Sequence, residues 1–262
     1  MLTGLLLVLY VIGAWWGATG LILYLGRRHK RTFALTLSVA SALLIPGALL
    51  LRWSCHERSI AGACLGFAAS LVLWGWLEMS FLLGAVTGPR RSACAAGCRG
   101  MRHFRHAVEA ILYHELATLA AAALIIAISW RAANSIGLWT FMMLWGMRIS
   151  AKLNLFFGVR NTAEIMLPPH LKYLVAFFGH RRLSLLFPFS VTLAMSLSVL
   201  LIAVAYSAPS WDFGTCEVTL LATLAALASF EHWMLVMPMR ADAPWRMLRS
   251  AQSIRPGVSR LP

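Results

Sequence analysis

Long apolar stretches alternate along this chain with short, basic connections. A helix needs about 20 apolar residues to cross a bilayer. Seven stretches reach that length, at roughly residues 2–25, 33–51, 61–86, 107–129, 136–158, 185–207 and 216–237. They predict an all-α membrane protein, a bundle of about seven transmembrane helices. The connections at 88–106 and 159–184 are too short for an independent core. Residues 1–237 are therefore expected to form a single polytopic domain and residues 238–262 a basic tail. Ala222, Ala226 and Ser229, with Ala121 to Ala123, offer small faces on which helices can pack closely. One stretch breaks the apolar pattern: the fifth carries Arg148 and Lys152 at i and i+4, two like charges on one helix face within hydrocarbon.

Composition agrees with a membrane protein, since 60% of the 262 residues are hydrophobic and only 12% are charged. The net charge of +14 does not point to nucleic acid, because the basic residues sit in short loops rather than along one soluble face. Arg27, Arg28, Lys30 and Arg31 fill the first loop. Arg90, Arg91, Arg99, Arg102 and Arg105 lie in the third, Arg160, Lys172, Arg181 and Arg182 in the fifth, and five further arginines in the tail. The alternate loops hold only Arg52, Arg58 and Arg131. By the positive-inside rule the N-terminus lies outside and the tail in the cytoplasm. Met1 to Leu7 lack the positive region of a cleaved signal peptide, so the first helix is expected to remain as an anchor. Five scattered cysteines do not suggest a disulfide framework.

That topology allows depths to be compared between helices. Glu78 on the third stretch and the His114-Glu115 pair on the fourth each lie about eight residues from the cytoplasmic edge, roughly 12 Å deep. Arg148, Lys152 and Asn154 on the fifth, and Glu231 and His232 on the seventh, fall near the same level. The sequence thus predicts one intramembrane polar layer. In one reading Glu78, Glu115 and Glu231 neutralise Arg148 and Lys152, with one carboxyl left over. In another, Glu78, Glu115 and Glu231 join His114 and His232 as ligands of a metal or of the magnesium of a chlorophyll-like macrocycle. The Glu-x-x-His spacing of di-iron bundles is absent from both dyads.

Three further segments carry candidate chemistry. Cys94, Cys98, His103 and His106 form a Cys/His pattern whose spacing departs from that of a zinc knuckle, and the reading favours a basic loop facing phospholipid headgroups. Pro168 and Pro169 precede Leu171, Leu174, Val175 and Phe178 at helical spacing, as in a short helix lying on the membrane, either a surface anchor or a docking site for a partner. Of the 11 tryptophans, Trp74 and Trp145 lie away from the span ends. Those two are candidates for contact with a flat pigment, although core packing is the preferred role.

Several of these runs together carry a resemblance. They are Glu78-Met79-Ser80-Phe81 with Thr87-Gly88-Pro89-Arg90-Arg91, His114-Glu115, Leu138-Trp139-Thr140-Phe141, and Met147-Arg148-Ile149-Ser150-Ala151-Lys152-Leu153-Asn154. Gly158-Val159-Arg160-Asn161, Leu167-Pro168-Pro169-His170-Leu171 and Glu231-His232-Trp233 complete the set. Over nearly its whole length the chain resembles the photosynthetic complex assembly protein family of purple phototrophic bacteria, the PuhE type. The resemblance implies a link to reaction-centre H-subunit genes, assembly of the reaction centre and its core antenna, and an influence on bacteriochlorophyll level. It implies no catalytic residue. Arg160 stands where the resemblance leads one to expect proline, which predicts a less abrupt helix end and leaves the geometry of the loop bearing Glu164 and His170 open.

The sequence therefore reads as a multi-pass protein of the bacterial inner membrane that assists assembly of the reaction centre and core light-harvesting complex, more in keeping with an assembly factor than an enzyme. Expected partners are reaction-centre or core antenna subunits, other assembly factors and the lipid bilayer, with Asn161, Glu164 and His170 as candidates for a docking loop. Bacteriochlorophyll or a precursor could be held by His114 or His232, and a metal by Glu78, Glu115 and Glu231. A metal-dependent membrane oxidoreductase acting on a tetrapyrrole, quinone or carotenoid is the alternative. A transporter is a third class, but the chain lacks the repeats and paired broken helices common in transporters.

Overall fold

Eight α-helices and two short 3-10 segments make up the regular structure of the described residues. The computed structural model describes residues 2–95, 97–162, 164, 167–179 and 183–237. The expected basic tail, 238–262, lies outside them. In chain order the helices are α1 (Leu2–Gly26), α2 (Phe33–Ala42), α3 (Leu44–Ser54), α4 (Ile60–Leu82), α5 (Gly100–Ile128), α6 (Ile136–Phe157), α7 (Leu186–Ser207) and α8 (Phe213–Met234). Six stretches are long and apolar enough to cross a membrane: α1, α4, α5, α7, α8, and Lys30–Ser54, which holds α2 and α3. The chain is a multi-pass, all-α membrane protein. Helix α6 matches the others in length at 22 residues, but Arg148, Lys152 and Asn154 lower its hydropathy.

Local chemistry sets several helix ends. Ser59 caps α4 by accepting from the Gly62 N–H at 3.0 Å, and Asp212 caps α8 by accepting from the Thr215 N–H at 2.9 Å. The expected single helix at 33–51 is broken at Leu43 into α2 and α3. Pro46 accounts for the break, because its ring has no N–H and crowds the preceding turn. The expected span to residue 86 stops at Leu82, where Gly84 takes φ 77°. In contrast α5 begins at Gly100, several residues before its apolar stretch.

Helix α4 supplies residues to all three apolar clusters and is the axis of the bundle. Ala63, Phe67 and Leu71 meet Leu7 and Val11 of α1, Ile136 of α6 and Leu220 and Leu224 of α8. Leu73 and Leu77 meet Leu51 of α3, Ile125 of α5 and Phe141 of α6. Trp74 and Trp145 pack against this second cluster, Trp74 edge-on to Phe141 with ring centroids 5.5 Å apart. Phe81 and Ala110 meet Leu171, Leu174 and Phe177.

This third cluster corrects the expectation for the Pro168-Pro169 segment. Residues Pro169–Phe177 form a 3-10 helix rather than an α-turn, and it buries Leu171, Leu174 and Phe177 against α4 and α5 while Val175 and Phe178 stay half-buried. Of the expected small faces, Ala222 and Ser229 are buried in α8, whereas Ala226 is exposed. Ser229 meets Ser198 of α7 at 2.9 Å.

A polar layer on four helices

Helix α6 brings its two cations to two different neighbours. Arg148 donates through a terminal guanidinium nitrogen to Glu78 Oε2 on α4 at 2.8 Å, and Lys152 Nζ donates to Glu115 Oε1 on α5 at 2.5 Å. Both carboxylates are half-buried. One turn separates the cations along α6, and each carboxylate answers one of them, so the pairs fix the rotation of α6 against α4 and α5. Taking charge out of water is costly, and such pairs are tolerated when the geometry is close.

The leftover acid is Glu231. Its carboxyl lies near Arg148 and Glu78 and keeps some accessible surface, and it makes no ion pair among the described residues. The adjacent His232 is buried. Its Nδ1 donates to the Ala228 carbonyl at 2.9 Å. Nε2 shares a hydrogen bond with Ser150 Oγ at 2.9 Å. With both nitrogens engaged, His232 serves as a link between α8 and α6.

His114 is in the opposite state. It is 1% exposed, its ring centroid lies 4.8 Å from that of Phe81, and neither ring nitrogen finds a hydrogen-bond partner among the described residues. Glu78 Oε1, Arg148 Nε and Thr87 Oγ1 are likewise buried and unpartnered. Thr87 belongs to the turn that lies against α5: the His114 N–H donates to the Thr87 carbonyl at 3.0 Å. Gly88 lets this backbone come close, since a Cβ there would lie 2.6 Å from the Ala110 carbonyl carbon. Arg90 then closes the turn on Glu109 at 3.1 Å.

Asn154 is buried and fully used. Its Nδ2 donates to the Ser150 carbonyl and to Ser190 Oγ, both at 2.9 Å, and its Oδ1 accepts from Ser184 Oγ at 3.0 Å. It ties α6 to α7 and to the connection before it. Helix α6 ends abruptly at Phe157, with Gly158 at φ 111°. The less abrupt end expected from Arg160 is therefore not seen, because the preceding glycine already turns the chain.

The residues singled out as a docking loop are separated. Asn161 lies against the end of α8, donating from Nδ2 to the Met234 carbonyl at 3.0 Å. His170 donates from Nε2 to the Leu82 carbonyl at 2.9 Å, closing the end of α4, and its ring meets Phe33. Glu164 is exposed and accepts from Thr162 Oγ1 at 3.3 Å. Two of the three are thus taken up inside the chain.

Chemically, the layer offers one imidazole with an unused lone pair, His114, beside two ion pairs. Glu78 and Glu115 are engaged by cations, and Glu78, Glu115 and Glu231 are not gathered as a metal-binding group among the described residues. Sequence reasoning missed Ser150, Ser184, Ser190 and Thr87. Ser150 and Thr87 carried a signal only as members of the runs behind the resemblance, Ser150 also standing one turn before Asn154 on the helix that bears both cations.

Comparison with known proteins agrees with the span of these features. A protein of Rhodobacter capsulatus, described as an uncharacterized 30.4 kDa protein in the puhA 5′ region, is 35% identical over 248 residues, covering 92% of this chain and 89% of the relative. No solved structure matches the chain. The family described as "Protein of unknown function (DUF3623)" matches residues 1–255, a range that takes in every helix and the whole polar layer, and the chain belongs to that family.

Proposed function

We propose that this chain is a PuhE-type assembly factor of the bacterial inner membrane, acting in assembly of the photosynthetic reaction centre and its core light-harvesting complex. The observation that carries the reading is the Rhodobacter capsulatus relative, named for its place 5′ of puhA. It agrees with the link to reaction-centre H-subunit genes that the resemblance implies. In this reading α6 crosses the membrane with the other six stretches, the N-terminus lies outside, and a single domain of residues 1–237 ends in a cytoplasmic tail. The two ion pairs hold the bundle in register. Outward-facing apolar residues such as Leu193, Val199 and Phe230 are available to reaction-centre or antenna subunits and to other assembly factors.

Handling of bacteriochlorophyll, or of a precursor, rests on His114 rather than His232. Of those two, His114 is the one whose ring nitrogens have no partner among the described residues, and neutral imidazole suits magnesium in a macrocycle. The engagement of Glu78 and Glu115 by cations favours this over carboxylate ligation of a metal in an oxidoreductase.

The test is a Rhodobacter capsulatus strain lacking the relative, complemented with this chain or with its His114→Phe variant. Membrane absorption spectra should show reaction-centre and core-antenna bands reduced in the deletion strain and restored by the unaltered chain. Bands that are equal with and without the gene would refute the assembly role. Full restoration by His114→Phe would remove the pigment-handling step while leaving assembly by protein contact.

A further inference from the structure

The connection between α4 and α5 gathers a second constellation, separate from the polar layer. Cys94 Sγ lies 3.1 Å from His106 Nδ1, and Cys98 Sγ lies 3.4 Å from the same nitrogen. The three donor atoms are all within 4.8 Å of one another, and each residue is partly buried. Two sulfurs and a nitrogen around a tetrahedral zinc stand about 3.6–3.8 Å apart, from bond lengths of about 2.3 Å to sulfur and about 2.0–2.1 Å to nitrogen. The two S···N separations are shorter than that by about 0.2–0.5 Å, so small side-chain rotations would open the group to the spacing a zinc ion needs. Thiolate with imidazole is also the donor set that selects zinc over the harder cations.

Two thiolates cancel the charge of a divalent ion, so the bound site would add no net charge to a neighbourhood in which Arg102 already lies beside Cys98. Arg90 and Arg105 are drawn onto Glu109, at 3.1 and 3.5 Å, and so are held by a carboxylate of their own. His103, one turn before His106, has its ring stacked on Phe156 at 5.6 Å and is not part of the three-residue group. The sequence pattern alone gave four candidate ligands; the fold selects three.

We propose that Cys94, Cys98 and His106 form a zinc(II) site that clasps the α4–α5 connection to the first turns of α5, with a fourth position open to water. The site would fasten the segment between the Thr87–Arg90 turn and the start of α5, two points already fixed by backbone contacts and by Glu109. It does not depend on the photosynthetic role.

The experiment uses the full chain in detergent, reduced, stripped with chelator and titrated with zinc(II) against a chromophoric chelator, with cobalt(II) as a spectroscopic probe. One equivalent should bind, cobalt(II) should give a thiolate-to-metal charge-transfer band in the near ultraviolet, and zinc(II) should slow alkylation of Cys94 and Cys98 but not of Cys64. Cys98→Ser and His106→Ala should each weaken binding by more than the about 10- to 100-fold that loss of a group merely supporting a ligand costs. His103→Ala should bind as the unaltered chain does. Absence of the charge-transfer band in the unaltered chain would overturn the proposal. So would a Cys94–Cys98 disulfide that persists through reduction, or zinc binding unaffected by both ligand variants.

Discussion

Replacing Glu115 with Gln leaves the Lys152 ammonium without its carboxylate in a half-buried, low-dielectric setting. Breaking one side of such a pair costs about 3 kcal/mol, whereas removing both charges is far less harmful. Glu115→Gln should therefore lower the unfolding midpoint in detergent clearly, and the double variant Glu115→Gln with Lys152→Met should recover most of the loss. A double variant no better than the single one would show that the pair does not hold the bundle. At this scale the sequence was informative about charge and uninformative about direction. Arg148 and Lys152 stand out in an apolar run, but which carboxylate meets which cation depends on helix rotation. Glu231 and His232 illustrate the limit: adjacent in sequence, they point about 100° apart on a helix, and only His232 is buried and hydrogen-bonded through both nitrogens. The hydroxyl partners of Asn154 and His232 gave little warning, since serine is common in membrane helices and its role appears only when another helix comes alongside.

Helix ends followed local chemistry where a cap was present and shifted where a break was overlooked. Pro46 carried the signal for the division of α2 from α3, yet the apolar run passes straight through it. Asp212 offers a direct test of a cap outside the membrane. The Thr215 backbone N–H, donating to it, holds its carboxyl below the ordinary range. A lowered carboxyl pKa adds stability above the unfolded value of about 3.9, and that contribution disappears as pH falls through the lower folded value. Asp212→Asn keeps an acceptor but loses the charge. Thermal unfolding followed from neutral to acid pH should show the unaltered chain losing its advantage over Asp212→Asn as pH drops into that window. A gap that stays constant would exclude the charge as its source.

Across the whole molecule, the membrane character and helical class were legible because hydrocarbon imposes apolar runs of a fixed length. The arrangement of those runs was less accessible: α4 became the axis through small residues such as Gly66, where a side chain would press on Ile136 and Ser54. The proposed orientation makes a plain prediction. A reporter active only in the cytoplasm should be silent at the N-terminus and in the α3–α4 and α5–α6 connections, and active at 88–99 and at the C-terminus. Activity in the 159–184 connection would support a crossing by α6, and silence there would mean that α6 does not span the membrane.

The turn at Thr87 and Gly88 has a consequence for how the protein is made. Its carbonyl bond to the His114 N–H and its close fit against Ala110 join two backbones, one of which is synthesised well after the other. A nascent chain arrested before His114 has α4 complete but nothing for that turn to close upon. The seal forms only once α5 has been made, so a bulky residue at position 88 should hinder the docking of α5 on the turn after α4.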